Sequence, residues 1–190
     1  MVKISVVYHS GFGHTEVQAK AVYEGALSSN KVEAKLVTVE EAIADIRQFD
    51  DSDAIIFGSP TYMGSVSAKF KEFMDASSPI WLKQGWKDKI AAGFTNSYSL
   101  SGDKLNTLMQ IGIYAMQHSM IWVGLGHDNT CKNGNQGDPK EINRMGSYFG
   151  AMAQSDNQPS DVTPPEGDLK TAQILGKRVA DLTKKFKYND

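Results

Sequence analysis

Short apolar segments alternate with segments of helical periodicity along most of this chain, and this alternation restricts its fold more than any other feature. Five segments predict strands: residues 4–8, 32–39, 53–60, 88–97 and 119–126. They are short and apolar, as expected for strands buried on both faces of a sheet. Strands that alternate with helices form a mostly parallel sheet that is covered on both sides. The sequence therefore predicts a three-layer α/β/α sandwich with a five-stranded parallel sheet in the order 2-1-3-4-5.

The helices of this sandwich are predicted from apolar residues spaced three and four positions apart. The first helix is expected to begin at Thr15, which would form a capping box with Gln18. The side chains expected to face the core from the later helices are Val66, Phe70, Phe73, Met74, Leu105, Leu108, Gly112, Ala115, Ala172, Leu175, Val179, Leu182 and Phe186.

Composition limits the class of protein. The chain has 190 residues, enough for one α/β domain that spans residues 1–190. Its 20 Lys and Arg residues and 22 Asp and Glu residues give a formal net charge of -2, without the basic excess of a nucleic-acid-binding domain. Cys131 is the single cysteine, so no internal disulfide can form. A chain without an internal disulfide fits the reducing cytoplasm, which is the expected location. No apolar stretch is long enough to cross a membrane.

A glycine-containing turn, "HSGFGHT", follows the first predicted strand. Ligands of open parallel sheets bind beyond the carboxyl ends of the strands, and a helix amino terminus there suits an anion. No Lys follows the glycines, so the turn is not a Walker loop, and Glu16 stands where a dinucleotide fingerprint has its third glycine. The turn therefore indicates a site for one phosphate, held by backbone N–H groups with Ser10 and Thr15; a plain turn without ligand is the alternative.

Two further loops fall at the same predicted edge of the sheet. Residues 60–64 present an aromatic ring and a thioether between Pro60 and Gly64, and residues 96–101 place Tyr98 among small polar side chains. Each loop alone could be an ordinary turn. Together with the first loop, they predict a site for a planar heteroaromatic ligand that carries one phosphate.

The long polar segment 126–168 interrupts the regular alternation. Such an excursion is usually functional or disordered, and its apolar middle, "NRMGSYFGAMAQ", favours an ordered loop near the site. His14, His118 and His127 do not have metal-ligand spacing with any Cys or carboxylate. No hydrolase nucleophile elbow is present either, so we assign no catalytic acid–base residue and no metal site.

The three loops together resemble the flavodoxin-like FMN proteins, and most closely the WrbA-type NAD(P)H:quinone oxidoreductases. The resemblance covers most of the chain and is most specific in the second loop and its following helix. It is carried by "YHSGFGH", "AIIFGSPTYMGSVSAKFKEFMD", "IWLKQGWKDKIAAGFTNS", "HSMIWVGLG" and "GSYFGAMA". It implies a flavodoxin-like fold, FMN as cofactor and NADPH or NADH as co-substrate.

The resemblance also implies roles for individual positions. The FMN phosphate would be held by Ser10, Gly11, Phe12, Gly13, His14 and Thr15. The ring and the ribityl chain would contact Pro60, Thr61, Tyr62, Met63, Gly64, Asn96, Ser97, Tyr98, Ser99, Leu100 and Ser101. On the substrate side, Trp81 matches a tryptophan that covers the flavin of a neighbouring subunit, Gln117 replaces a flavin-contacting His, and His127 replaces a Tyr.

Departures from the family pattern concern the substrate side and the assembly. Tyr62 and Met63 stand where the family usually has Arg and Phe, which leaves FMN binding intact but bears on substrate preference. The chain lacks the family's insertion between the second and third strands, which contributes to tetramer packing. A homo-oligomer, either a dimer or a tetramer, is the expectation.

The resulting functional hypothesis is an FMN-binding oxidoreductase that transfers hydride from NAD(P)H to a quinone or similar small acceptor, since the flavin supplies the difficult chemistry. Two alternatives stay open. One is a flavodoxin-type one-electron carrier, and the other is a non-catalytic binding or regulatory protein with the same fold.

Overall fold

The computed structural model describes residues 1–131 and 136–188. The strands are β1 (Val2–Tyr8), β2 (Val32–Thr38), β3 (Ala54–Tyr62), β4 (Ser65–Val66), β5 (Ile90–Ser97), β6 (Ile121–Trp122) and β7 (Ala151–Gln154). The helices are α1 (His14–Leu27), α2 (Val39–Ala44), α3 (Ala68–Ala76), α4 (Ser78–Leu82), α5 (Lys104–Gln117) and α6 (Glu166–Tyr188), with a 3-10 turn at Ile46–Phe49. None of the helices in these ranges has the length and apolar content needed to cross a membrane.

The strands form one sheet in the order β2-β1-β3-β5-β6, and all neighbours along this path are parallel. The predicted order of the five main strands is confirmed. Two short strands were not predicted: β4 pairs antiparallel with β3, and β7 pairs parallel with the carboxyl half of β5.

The fifth position in the sheet is shared between two segments, so the prediction of a single strand over 119–126 is wrong. Only Ile121 and Trp122 pair with β5, opposite Ile90 and Ala91. The Val123 N–H still donates to Ala91 O at 2.7 Å, and the Leu125 N–H then donates to Tyr148 O at 3.0 Å rather than to β5. The later strand β7 takes the vacated edge of β5, and this brings the segment after it to the carboxyl edge of the sheet.

Side chains alternate between two apolar layers, one on each face of the sheet. Along β3, Ala54 and Ile56 pack with α1 and α6, whereas Ile55 and Phe57 pack with α3 and α5. Helices α1 and α6 pack closely against each other because glycine allows their backbones to approach: a Cβ at Gly176 of α6 would collide with the Val22 carbonyl oxygen of α1. Both faces of the central strands are therefore buried, as a parallel sheet requires.

Helix starts differ from the prediction in two places. Helix α1 begins at His14 with Gly13 as its N-cap, so the Thr15–Gln18 capping box does not form. Gly13 can serve because its φ of 89° suits glycine, and the Ser10 hydroxyl accepts from the Glu16 N–H at 3.1 Å. Val66 lies in β4 rather than in α3, whose N-cap is Ser67.

Two predicted core side chains are exposed. On α5, Leu105 faces solvent because Lys104 and Thr107 take the buried side of its first turns. Phe186 is also exposed, in the last turn of α6, whereas Ala172, Leu175 and Val179 are buried as expected. Leu182 is only half-buried against the same layer.

Candidate functional site

A cavity of about 490 Å³ opens at the carboxyl edge of the sheet, where the loops after β1, β3, β5 and β7 meet. Its walls are Ser10, Phe12, His14, Thr15, Pro60, Thr61, Tyr62, Asn96, Ser97, Tyr98 and the whole segment from Ser155 to Ser160. The three loops predicted from the sequence therefore converge on one cavity, which lies at the switch point between β1 and β3.

The first wall is the turn from Ser10 to the start of α1. His14 and Thr15 occupy the first positions of this helix, whose N–H groups have no partners within the helix and suit an anion. The His14 Nε2 lies 2.8 Å from Gln158 O, which joins this turn to the opposite wall. A Cβ on Gly13 would meet the Ser160 hydroxyl, so only glycine allows the two walls to approach in this way.

The second wall is the end of β3. Thr61 is buried, and its hydroxyl lies 2.8 Å from the hydroxyls of both Thr95 and Thr107. The Tyr62 ring packs edge-on against Phe12, with 6.2 Å between ring centroids. Burial raises the pKa of Tyr62, and a hydrogen bond from the Gly11 backbone opposes this rise. An aromatic surface thus stands directly beside the turn that leads into α1.

The third wall is the end of β5. Asn96 is almost fully buried, yet its Oδ1 has no hydrogen-bond partner among the described residues. A buried amide oxygen without a partner is destabilising unless a donor reaches it. Because Asn96 lines the cavity, a hydroxyl or N–H group of a bound ligand can supply that donor.

The sequence profile of the family described as NADPH-dependent FMN reductase matches residues 13–127, which include the first wall from Gly13 onward and all of the second and third walls. The chain belongs to this family. The chain is also 42% identical over 180 residues to flavodoxin FldP of Pseudomonas aeruginosa (strain UCBPP-PA14), an alignment that covers 95% of this chain and 96% of that protein. It is 34% identical over 210 residues to an NAD(P)H dehydrogenase (quinone) of Archaeoglobus fulgidus, at 98% and 100% coverage.

A solved structure of a related protein supports the same placement. The flavodoxin, WrbA-like protein from Agrobacterium tumefaciens superimposes with a TM-score of 0.73 and 39% identity, covering 97% of this chain and 99% of that one. The predicted flavodoxin-like fold and the resemblance to WrbA-type proteins are therefore confirmed. In this member of the FMN reductase family, the cavity lies at the carboxyl edge of the parallel sheet, where proteins with such a sheet bind their ligands.

The segment Ser155–Ser160 belongs to the long loop that was expected to lie near the site, but its residues were not among the predicted site residues. It is held in place by two backbone hydrogen bonds, from Ser155 N to Ser97 O at 2.9 Å and from Asp156 N to Tyr98 O at 3.1 Å. The available signal was the small apolar run "AMAQ" directly before "SDNQPS". That run becomes β7, and any polar loop after a parallel strand reaches the carboxyl edge of the sheet.

Some predicted cofactor residues surround the cavity without lining it. Met63 and Gly64 form the two-residue turn between β3 and β4, and both have positive φ angles, 48° and 74°. The Met63 side chain is fully exposed beside the cavity mouth. Leu100 and Ser101 line a separate groove along α5. Gly11, Gly13 and Ser99 belong to the same loops as the lining residues.

The three predicted substrate-side residues lie outside the cavity of their own chain. Gln117 ends α5, about 20 Å along the helix from its cavity end. Trp81 lies on the same side of the molecule as Gln117: its backbone N–H donates to Ser77 O at 3.1 Å, and the Ser77 hydroxyl is 2.9 Å from Nε2 of His118, the residue after Gln117. His127 makes a local contact, with Nδ1 2.7 Å from Asp128 O.

Proposed function

We propose that this protein binds FMN in the cavity and transfers hydride from NADPH or NADH through the flavin to a quinone or similar small acceptor. The observation that carries this proposal is the convergence of the anion-binding turn, the Tyr62 ring and the unpartnered Asn96 oxygen on one cavity. Membership of the NADPH-dependent FMN reductase family supports it. The Archaeoglobus relative named NAD(P)H dehydrogenase (quinone) supports the choice of substrates.

The residues present fit FMN. The turn from Ser10 to Thr15 offers neutral donors for one phosphate at the amino terminus of α1. Asn96 can accept a hydrogen bond from a ribityl hydroxyl or from the ring, and Tyr62, Met63 and Tyr98 can flank the ring system. A flavin held by these residues would supply the redox chemistry, which is hydride transfer from one substrate to a second.

The side chains at the mouth of the cavity define where those substrates approach. Phe12 and Tyr98 line the cavity with exposed rings, and Met63, next to Tyr62 in the chain, is exposed as well, so they offer apolar contacts for a planar nicotinamide or quinone ring. The described part of the chain consists of one sheet with its covering helices, so it offers no separate domain that could bind the nicotinamide nucleotide. We therefore infer that both substrates use the same face of the flavin, one after the other.

A homo-oligomer is part of this proposal. The outer face of α5 is apolar at Leu105, Met109, Ile113 and Met116, which are all about half-exposed and are spaced along one side of the helix. Trp81 and Leu82 are exposed as well. Together these side chains offer an apolar surface of the kind that subunit interfaces cover. We also propose a cytoplasmic location, for which the single Cys131 is the support.

A one-electron carrier is the second candidate, because the relative with 42% identity is named a flavodoxin. Carriers of this type depend on a protein partner that delivers electrons. The formal net charge of -2 offers little long-range steering toward such a partner. The two candidates therefore differ in whether a nicotinamide nucleotide alone reduces the bound flavin.

Anaerobic stopped-flow spectroscopy of the FMN-loaded protein tests the proposal, with free FMN as control. NADPH or NADH alone should bleach the flavin faster than it bleaches free FMN, and benzoquinone should then restore the oxidised spectrum in one two-electron step. Double-reciprocal plots of turnover should give parallel lines. If the flavin stays oxidised with both nucleotides but is reduced after a flavodoxin reductase is added, the carrier is correct. Purified protein with no flavin affinity would favour a non-catalytic role.

A further inference from the structure

Lys104, the first residue of α5, is a charged side chain in the interior, with 1% of its surface exposed. Its ammonium group donates three hydrogen bonds: to Ser97 Oγ at 2.7 Å, to Ser99 O at 2.8 Å and to Leu100 O at 2.8 Å. An ammonium group has three donors, so all of them are used within one loop. The partners are uncharged oxygens, which is an unusual environment for a buried lysine.

The loop that surrounds this ammonium group is the third wall of the cavity and its continuation, residues 97–101. It folds back on itself, because the Ser97 hydroxyl also donates to Ser99 O at 2.9 Å. Two carbonyl oxygens of an irregular loop thus point inward at Lys104 instead of toward water. Without the ammonium group, Leu100 O would lose this donor and Ser99 O would keep only the Ser97 hydroxyl, so the loop would be held less firmly in this shape.

The braced loop touches the cavity directly. Ser97 and Tyr98 line the cavity, and Asn96, with its unpartnered oxygen, immediately precedes them. The opposite wall depends on the same loop, since Ser155 N and Asp156 N donate to Ser97 O and Tyr98 O. A change in the shape of residues 97–101 therefore moves two walls of the cavity.

We propose that Lys104 is a positioning residue whose ammonium group holds residues 97–101 in the shape that receives the flavin, and so sets flavin affinity. It does not line the cavity and is not a catalytic residue. The inference rests on the proposed FMN site, but the bracing of the loop can be measured without flavin.

If Lys104 acts through its charge, the affinity for flavin should depend on pH. Burial lowers the pKa of Lys104 to about 8, with Asp168 opposing the shift and Arg144 adding to it. Arg144 and Asp168 pair with each other at 2.8 Å. Above this pKa the amine loses its charge and one of its donors, so its hydrogen bonds to residues 97–100 become fewer and weaker.

The first test compares Lys104→Met with Lys87→Met, which changes an exposed lysine. FMN affinity is measured by flavin fluorescence quenching between about pH 6.5 and about pH 9.5, a range that brackets the titration of Lys104. In the wild type and in Lys87→Met, the Kd should rise above about pH 8. Lys104→Met should bind about tenfold more weakly at neutral pH, with a Kd that no longer changes over this range.

Two results would overturn the proposal: Lys104→Met binding within twofold of the wild type, or an unchanged pH profile in that variant. If the variant does not fold, the wild type alone decides, because a Kd that is flat across the range contradicts the role of the ammonium group.

Hydrogen exchange of the flavin-free proteins separates this inference from the proposed function. The amides of residues 97–102 should exchange faster in Lys104→Met than in Lys87→Met, and equal rates would overturn the bracing role. If the wild type binds no FMN, the proposed function fails, and so does the link to flavin affinity, even where the exchange rates differ.

Discussion

Arg144 donates to both carboxylate oxygens of Asp168 in the interior, with Nε 2.8 Å from Oδ1 and Nη2 3.0 Å from Oδ2. Asp168 Oδ2 also accepts from the Gln154 N–H at 2.9 Å, and Arg144 Nη2 donates to Gln154 Oε1 at 3.0 Å. This network joins the middle of the long loop, the end of β7 and the first turn of α6. It therefore fixes the point at which the Ser155–Ser160 wall begins.

Asp168→Asn should be strongly destabilising. The substitution leaves the buried Arg144 guanidinium without a charged partner, and breaking a buried pair in this way costs about 3–5 kcal/mol. Urea denaturation measures the change. Glu166→Gln is the matched control, since Glu166 lies in the same helical turn and forms an exposed pair with Lys170. Near-equal unfolding midpoints for the two variants would contradict the role given to the buried pair.

Much of the sheet could be predicted because parallel strands buried on both faces leave a continuous apolar signal, as in residues 54–57. The long loop could not be placed by the same signal. Strand β7 has four residues, and it pairs with Phe94–Ser97, the part of the β5 edge that β6 does not cover. Which segment pairs with this part of β5 depends on tertiary contacts, so no local sequence pattern encodes the pairing.

The candidate site was predictable in the same uneven way. The turns after β1, β3 and β5 carry glycine, proline and small polar residues directly after apolar strands, and all three reach the cavity. Lys104 has no such signal: a lysine at the start of a helix normally faces solvent. Its burial follows from the loop oxygens of Ser99 and Leu100, which only the folded chain brings together.

Gly13→Val should weaken FMN binding at least about tenfold. A side chain on Gly13 would collide with Ser160 across the cavity, and the φ of 89° is unfavourable for a β-branched residue. Fluorescence titration measures the Kd. Gly146→Val is the control, because Gly146 has a φ of 63° and open space around its Cα. Both variants should lose about 1–2 kcal/mol of stability from backbone strain. If both bind FMN equally well, the turn has no role in binding.

FMN should bind at least about tenfold more tightly than FAD, a difference of about 1.4 kcal/mol. The turn before α1 has donors for one phosphate, and Glu16 stands at the third glycine position of the dinucleotide fingerprint. Calorimetric titration of the flavin-free protein with each flavin gives the two affinities. Equal or tighter binding of FAD would show that the single-phosphate interpretation is wrong.

Protein stability should fall between about pH 6.5 and about pH 4 because of His118. Its Nε2 is 2.9 Å from Ser77 Oγ, while Nδ1 is buried with no partner in the described part of the chain. Burial lowers the pKa of His118 to about 4. The unfolded chain takes up the proton near pH 6.5, so the stability of the folded form is complete above that pH and declines as the pH falls toward 4.

The decline attributable to His118 should be about 3 kcal/mol, and urea denaturation at a series of pH values measures it. In His118→Phe, which keeps an aromatic ring against Trp86, most of this slope should vanish. A smaller slope should remain, because burial also lowers the pKa of His9. An unchanged slope in the variant would mean that other groups cause the pH dependence.

Trp81→Ala should impair both assembly and turnover. Trp81 is 47% exposed in the short helix α4, and its neighbour Leu82 is 75% exposed, so the indole is available to a second copy of the chain. Aromatic residues at the centre of an interface often contribute enough that truncation weakens association by about tenfold or more. Light scattering over a concentration series measures assembly, and steady-state kinetics with benzoquinone measures turnover. Phe186→Ala, which removes an exposed ring from the end of α6, is the control and should change neither. A Trp81→Ala protein that matches this control in mass and in kcat/KM would show that the indole does not contact a neighbouring subunit near the flavin.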